Sequence, residues 1–301
     1  MVIDSFQAGG AERIAVEVAS SLDRERYSPI VLATRHGGPL EDLLDRAGVD
    51  YVVLGRRHGF SPRKYRRAHR LLRNVDLIHS HKLGSILWGA LFSRTTGVPL
   101  VARDPTFSGI RTRLRTYGYR WWIAPVARCI ICPTANLAQS LYDEGVPHGL
   151  VEVIPNGVRL DAALPRDEAR AELGLDGSVT WAGERAEAKR LPAAFDVGVI
   201  CSDFEGLPVA ALETLAAGVP MVCTAVGTLP DILSGGAGLT VPVRDHAALA
   251  AAIRRFIDDP AARAHAGARA RDVVRRHYEF EQMVRAFERV YDRVLGRNAP
   301  G

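Results

Sequence analysis

In CSDFEGLPVAALETLAAGVP, Cys201 to Pro220, two carboxylates, Glu205 and Glu213, stand with seven residues between them. An apolar strand-like run precedes the first, and the second lies two turns into a helical pattern. Gly206 permits a tight strand-to-helix bend, and Pro208 suits the first helical turn, where its missing N–H costs nothing. The macrodipole and the open backbone N–H groups of such a helix start, with Leu207 at its edge, favour a negatively charged diphosphate. Glu205 on the loop is then placed to accept hydrogen bonds from sugar hydroxyls, and Glu213 from a ribose hydroxyl pair. The plainer readings are a helix N-terminal charge for Glu205 and a solvated helix position for Glu213. Against the latter, LPVAALETLAAGVP is apolar nearly all round, so Glu213 is expected to be partly buried, and a buried carboxylate needs partners.

Three further loops carry chemistry. In FQAGGAER, Gly9 and Gly10 follow the opening strand-like run and precede a helical pattern, and glycines there let backbone N–H groups approach a phosphate. In HSHK, His79 and His81 are two apart at a strand end and share one face; a structural pair and a functional pair both fit. In VARDPT, Arg103 and Asp104 close another strand, with Arg103 a candidate phosphate contact. Cys129 and Cys132 in RCIICPT have knuckle-like spacing, but a strand points residues three apart to opposite faces and no second pair follows, so buried structural cysteines are the expectation.

These loops need a scaffold. Short β-branched runs, VID, PIVLA, YVVL, VDLIHSH, PLVAR, CIICP and VEVIP, alternate with helical patterns, which predicts βαβ units and a parallel sheet. A polar stretch follows VIPNGV, and then a second strand series, VTWAG, DVGVICS, PMVCTAV and GLTVPV. From about Asp245 the chain reads as three amphipathic helices. At 301 residues, 47% hydrophobic and 24% charged, the chain exceeds what one core usually supports. The expectation is therefore α/β, with two doubly wound domains, residues 1–158 and 159–301, facing a cleft at the carboxyl ends of their strands.

The four cysteines lie in or beside apolar runs and form no disulfide-scaffold pattern. No apolar run approaches the roughly 20 residues that span a bilayer, and no secretory leader is visible, which makes the cytoplasm the default compartment. The net charge of +5 is unevenly spread: Arg56 to Arg73 holds eight Lys or Arg and no acid. IRTRLRTYGYRWWIAP interleaves Arg111, Arg113, Arg115 and Arg120 with Tyr117, Tyr119, Trp121 and Trp122. That mixture suits a solvated helix face over core aromatics, an anionic membrane surface or a lipid phosphate. No nucleic-acid module is recognisable, so no nucleic-acid partner is expected.

The ordered set GGAER, VDLIHSH, VEVIPNGV, SDFEGLPVAALETLAAGVPMVCTAVGTLPDIL and GLTVPVRDHAALAAAI resembles the retaining glycosyltransferases of family 4, over almost the whole chain. The resemblance implies the GT-B fold of two Rossmann-like halves. It also implies transfer of a sugar from a nucleotide diphosphosugar, with a UDP-sugar the commoner donor, to an acceptor hydroxyl with retention at the anomeric carbon. No metal or cofactor is implied; the nucleotide-sugar is a co-substrate. By the same resemblance Glu205 contacts the donor sugar, Glu213 binds the nucleotide ribose, and Gly9 and Gly10 lie near the donor phosphates.

Two departures stand out. Between AELGLDG and SVTWAG a βαβα unit, on the order of 60–70 residues, is missing relative to the family pattern, and the phosphate-contacting Arg and Lys go with it. Arg185 and Lys189 are candidate replacements, although their segment aligns more naturally with a later part of the pattern. Secondly, Arg103 and Asp104 stand where many members carry a histidine, which leaves His81 as the candidate histidine at the reacting centre. A reduced second domain exposes sheet edges that a homo-oligomer or partner would cover. The expected activity is sugar transfer to a lipid-linked or cell-envelope acceptor at the cytoplasmic membrane face. The alternatives are a catalytically reduced homologue acting as a binding or partner subunit, and another GT-B enzyme such as a sugar-nucleotide epimerase or a phosphorylase.

Overall fold

A computed structural model describes residues 1–7, 9–56, 61–105, 116–161, 165–168, 182–183, 185 and 187–297. The chain divides into two compact units, Met1–Ile154 together with the stretch from Val284 onward, and Pro155–Met283.

The first unit is built on β1 (Val2–Ser5), β2 (Ile30–His36), β3 (Asp50–Val53), β4 (Ile78–His81), β5 (Leu100–Arg103), β6 (Ala127–Cys132) and β7 (Val151–Val153). They form one parallel sheet in the order β3-β2-β1-β4-β5-β6-β7. Alternation along the strands feeds two cores. Val2, Leu32, Ile78, Leu100 and Ile130 pack with Leu72 of α3 (Pro62–Leu72), Ile86, Ala90 and Phe92 of α4 (Leu83–Thr96) and Leu137 and Leu141 of α5 (Ala135–Asp143). Ile3, Val31 and Ala33 pack with Ala15, Val16 and Ala19 of α1 (Gly10–Ser21) and Leu44 of α2 (Glu41–Ala47). A sheet covered on both faces explains why its strands read as continuous apolar runs rather than alternating ones. The order reverses between β1 and β4, and their carboxyl ends form the switch point at which doubly wound sheets bind ligands.

The second unit contains β8 (Gly198–Ile200), β9 (Met221–Thr224) and β10 (Gly238–Val241), parallel and in the order β10-β9-β8 among the described residues. The strand expected over 179–183 falls largely outside the described residues. Leu212 and Leu215 of α6 (Val209–Ala216), Leu229 and Ile232 of α7 (Leu229–Leu233) and Ala270 and Val274 of α9 (Pro260–His277) cover one face. Phe256 of α8 (His246–Asp258) packs with Val222 and Val241 on the other. Asp245 and Asp259 cap α8 and α9 by accepting from the N–H groups of Ala248 and Ala262, both at 2.9 Å, and Pro260 opens α9 where a missing donor is harmless.

The three C-terminal helices form as the sequence predicts, the last being α10 (Phe280–Leu295). Its allocation differs from the 159–301 expectation, because from Val284 the chain belongs to the first unit. The reason is local. Phe287 and Tyr291 lie edge-on to the His79 ring, and Asp292 accepts from Arg26 and from the Tyr27 hydroxyl, each at 2.6 Å.

Candidate functional site

At the first unit's switch point, Gly9 caps α1 with extended backbone and no side-chain cap, which leaves the helix start bare. A Cβ on Gly9 would fall 2.4 Å from Oε2 of Glu12, whereas Gly10 has open space around it. Glu12, buried at the third position of the helix, therefore folds its carboxylate back onto the Gly9 turn. Its Oε1 accepts from Lys82 Nζ at 3.1 Å. Lys82 follows β4 directly and has φ 70° and ψ 143°, well off the basins open to side-chain-bearing residues, a strain of about 1–3 kcal/mol. Asp4, on β1, holds the start of α4 as well, accepting from Ser85 at 3.0 Å.

His79 and His81 share a face as the period of two requires, with ring centroids 4.2 Å apart. The face is an interior one. His81 is 1% exposed, and neither of its ring nitrogens has a hydrogen-bond partner among the described residues. His79 Nδ1 meets the Tyr291 hydroxyl at 2.6 Å. Arg103 pairs in register with His81, is fully buried and lies with its guanidinium 5.6 Å from the Phe287 ring. Neither side chain lies open at a strand end: the Arg103 guanidinium is covered by Phe287 of α10, whose helical stripe did not announce its destination, and the His81 ring is buried against His79. Asp104 accepts from the hydroxyl of Tyr119.

Burial, and then neighbouring positive charge, holds the pKa values of His79 and His81 well below the usual 6.5, so both are neutral near pH 7. The unfolded chain takes up those protons near pH 6.5 while the folded chain refuses them, so stability is present above that pH and is lost as the pH falls below it. Urea unfolding at pH 7 and pH 5 is expected to show this loss, at most about 1.4 kcal/mol per pH unit for each histidine. The variant His79→Gln/His81→Gln is expected to flatten it; an unchanged slope would remove the pair as its source.

In the second unit the acid-bearing loop leaves β8 and enters α6. Glu205 Oε1 accepts from Ser202 Oγ at 2.9 Å. The main chain on either side is clamped from β9 and the turn after it. Thr224 Oγ1 donates to Ser202 O at 2.6 Å, and the Thr228 N–H and hydroxyl both donate to Gly206 O, at 3.1 and 2.9 Å. Asn156 Nδ2 donates to Leu207 O at 3.2 Å. Gly227, at φ 57°, passes so close that a Cβ there would lie 2.3 Å from Glu205 O and 2.5 Å from Gly206 O. Pro208 is the N-cap itself, one place earlier than expected. Ala211 is the first residue whose N–H bonds back to it, at 3.2 Å, so the N–H groups of Val209 and Ala210 head a helix with no side-chain cap. Glu213 lies on α6, half-buried as its apolar surroundings suggest.

Arg185 donates through Nε to Ala182 O at 3.2 Å. Lys189 sits on a 3₁₀ turn, Ala188–Arg190, that packs against α6. Arg244, φ 64°, grips Asp203 through Nε and a terminal nitrogen at 3.0 and 2.6 Å, although both side chains are exposed. Among the described residues no group of three His, Cys, Asp or Glu could hold a metal ion. Lys82, Gly227, Thr224 and Thr228 were not singled out from the sequence. The Gly in AVGTLPDIL was the available signal for the turn, and nothing in HSHK marks the Lys82 backbone.

Two family models match the chain: Glycosyltransferase Family 4 over residues 8–162 and Glycosyl transferases group 1 over residues 153–259. The chain is 30% identical over 131 residues to a lipopolysaccharide core biosynthesis mannosyltransferase of Rhizobium meliloti, covering 42% of this chain and 37% of that protein. It is 35% identical over 97 residues to a glycogen synthase of Mycobacterium tuberculosis, covering 32% and 23%. The chain therefore spans well under half the length of these relatives. Among solved structures, Anabaena HepE in complex with UDP superposes with a TM-score of 0.81 at 16% identity, over 97% of this chain and 98% of that one. Sucrose-phosphate synthase from Thermosynechococcus elongatus does so with a TM-score of 0.78 at 17% identity, over 98% and 99%. At such identities the likeness shows the shared fold.

Proposed function

Because the chain belongs to Glycosyltransferase Family 4 and has the GT-B architecture of its structural neighbours, we propose that it transfers a sugar from a nucleotide diphosphosugar to an acceptor hydroxyl. The observation that carries this is the clamped Glu205 loop leading into the bare start of α6 with Glu213 on it. In this reading Glu205 accepts from the sugar hydroxyls and Glu213 from the ribose hydroxyls. The main chain of Gly206, Leu207 and Pro208 shapes the helix entry, and the turn at Gly9 and Gly10 admits the phosphates. The acceptor oxygen bonds to the anomeric carbon as the bond from that carbon to the diphosphate breaks. The acceptor proton leaves to the departing phosphate oxygen or to water, and configuration at the carbon is retained. Charge building on the diphosphate is met by backbone N–H groups and basic side chains, Arg185 and Lys189 among the candidates, in place of a metal ion. Turnover that persists in excess EDTA is the expected result.

The proposed donor is a UDP-sugar, a reading supported by the UDP held by the HepE neighbour. Calorimetric titration with UDP, GDP and ADP is expected to show UDP binding at micromolar affinity, and Glu213→Ala to weaken it about tenfold or more, as loss of a hydrogen-bonded charge does. A folded protein that binds none of the three would favour the partner-subunit alternative.

The acceptor is proposed to be lipid-linked or part of a cell-envelope glycan, a class to which the Rhizobium relative's name also points. Trp121 (58% exposed), Trp122 and Tyr117 (67% exposed) surface around the π-helical turn Gly118–Ile123. Arg94 and Arg120 lie over the two indoles at 4.8 and 5.3 Å. No helix of the described residues is long and apolar enough to cross a membrane. Indoles and guanidinium groups together suit the headgroup layer of an anionic bilayer, so peripheral docking at the cytoplasmic face is the reading. Arg111, Arg113 and Arg115 fall outside the described residues. Co-sedimentation with phosphatidylglycerol vesicles is expected to fall several-fold in Trp121→Ala/Trp122→Ala while transfer to a soluble acceptor stays the same; equal sedimentation would sink membrane docking.

A further inference from the structure

The Glu12 carboxylate occupies an awkward place for an acid. It is held against the Gly9 turn, with Oε2 where a Gly9 side chain would begin, 2.4 Å from that point. A bare carboxylate there repels any phosphate that approaches the open side of Gly10. Opposite it stands Lys82, half-exposed, with its Nζ 3.1 Å from Glu12 Oε1. Its backbone is held in a strained conformation from both sides: the Lys82 N–H donates to Arg103 O at 2.9 Å, and the Lys82 carbonyl accepts from Ile86 at 3.0 Å. The end of β5 and the first turn of α4 thus aim this side chain across the switch point at the start of α1.

We infer that Lys82 is a positioning residue: it cancels the Glu12 charge and keeps that carboxylate folded onto Gly9, so that a phosphate can approach the Gly9–Gly10 turn. The role rests on the donor-site reading above, and it operates through Glu12 rather than by contact with the phosphate. It predicts a particular non-additivity. Lys82→Met leaves an uncompensated acid at the turn, whereas Lys82→Met/Glu12→Gln removes both charges together.

The test is calorimetric titration of the full chain with UDP and with uridine, which lacks the diphosphate, with thermal melting as the fold control. Lys82→Met is expected to weaken UDP about tenfold or more and to leave uridine unchanged, a difference confined to the diphosphate. Lys82→Arg, which keeps the charge, is expected to stay within about threefold of wild type. The double variant is expected to regain UDP affinity to within about threefold, since a matched loss of both partners removes the penalty of an unpaired buried charge. Equal UDP binding by wild type and Lys82→Met overturns the role, and so does a double variant as weak as the single one, which would make Lys82 a direct phosphate ligand. A folded wild-type protein that binds no UDP overturns the donor-site reading and the Lys82 role with it.

Discussion

Gly227→Ala is expected to lower sugar transfer by about 100-fold or more, the loss that follows when a reacting group is displaced by about 1 Å. The methyl group would stand 2.3 Å from the carbonyl oxygen of Glu205 and 2.5 Å from that of Gly206. Both are main-chain atoms, and Gly206 O is already fixed by two bonds from Thr228, so neither can step aside alone. Positive φ adds its own penalty for any residue with a Cβ. Stability should fall by about 2–5 kcal/mol, from left-handed strain of about 1–2 and overpacking of about 1–3. The informative comparison is with Gly10→Ala, whose Cβ meets open space. Urea unfolding and initial-rate assays of both variants check it. A Gly227→Ala enzyme with wild-type rate would mean that the Glu205 loop need not hold this shape.

Phe287→Ala is expected to destabilise the protein by about 3–5 kcal/mol, the usual cost of truncating a buried phenylalanine. Its ring is fully buried and covers both His79 and Arg103, with centroid distances of 5.6 Å in each case. Burial has already pushed the Arg103 guanidinium down to about 10. Removing the ring leaves a buried cation beside a void, which costs more than the void by itself. Phe287→Leu fills most of the volume without a π face and should lose about half as much, which separates packing from the cation contact. A Phe287→Ala loss below about 1 kcal/mol in urea unfolding would show that α10 is not held to the first sheet by this residue.

Much of the architecture was legible because parallel strands covered on both faces are short, β-branched and continuous, and PIVLA, PLVAR and CIICP could hardly be anything else. The Glu205 loop was legible for a similar reason: an acid, a glycine and a proline between a strand and an apolar helix leave little choice of conformation. The fate of α10 was not. FEQMVRAFERVYDRVLG declares that it buries a stripe, but a stripe carries no address, and only the fit of Phe287 and Tyr291 against His79 supplies one. That missing address also hid the ring that covers Arg103. Period two put His79 and His81 on one face correctly, yet nothing in HSHK could tell that Tyr291, some two hundred residues later, would meet His79. Gly227 shows a third kind of limit. A glycine in AVGTLPDIL signals a turn, while the carbonyl groups it must avoid are set by tertiary approach.

The clamp on the Glu205 loop has a consequence for anyone wishing to move it. Within the unit that carries it, its main chain is held from Thr224, Gly227, Thr228 and Asn156, none of which belongs to the stretch that carries the acids. The transplantable module is therefore discontinuous: SDFEGLP grafted alone into another parallel-sheet scaffold would arrive without its fasteners. A recipient would have to supply the neighbouring strand end, its glycine turn and the asparagine as a set, and sequence exchange among homologues should respect the same boundaries, with crossovers tolerated before Asn156 or after Thr228 more readily than between them.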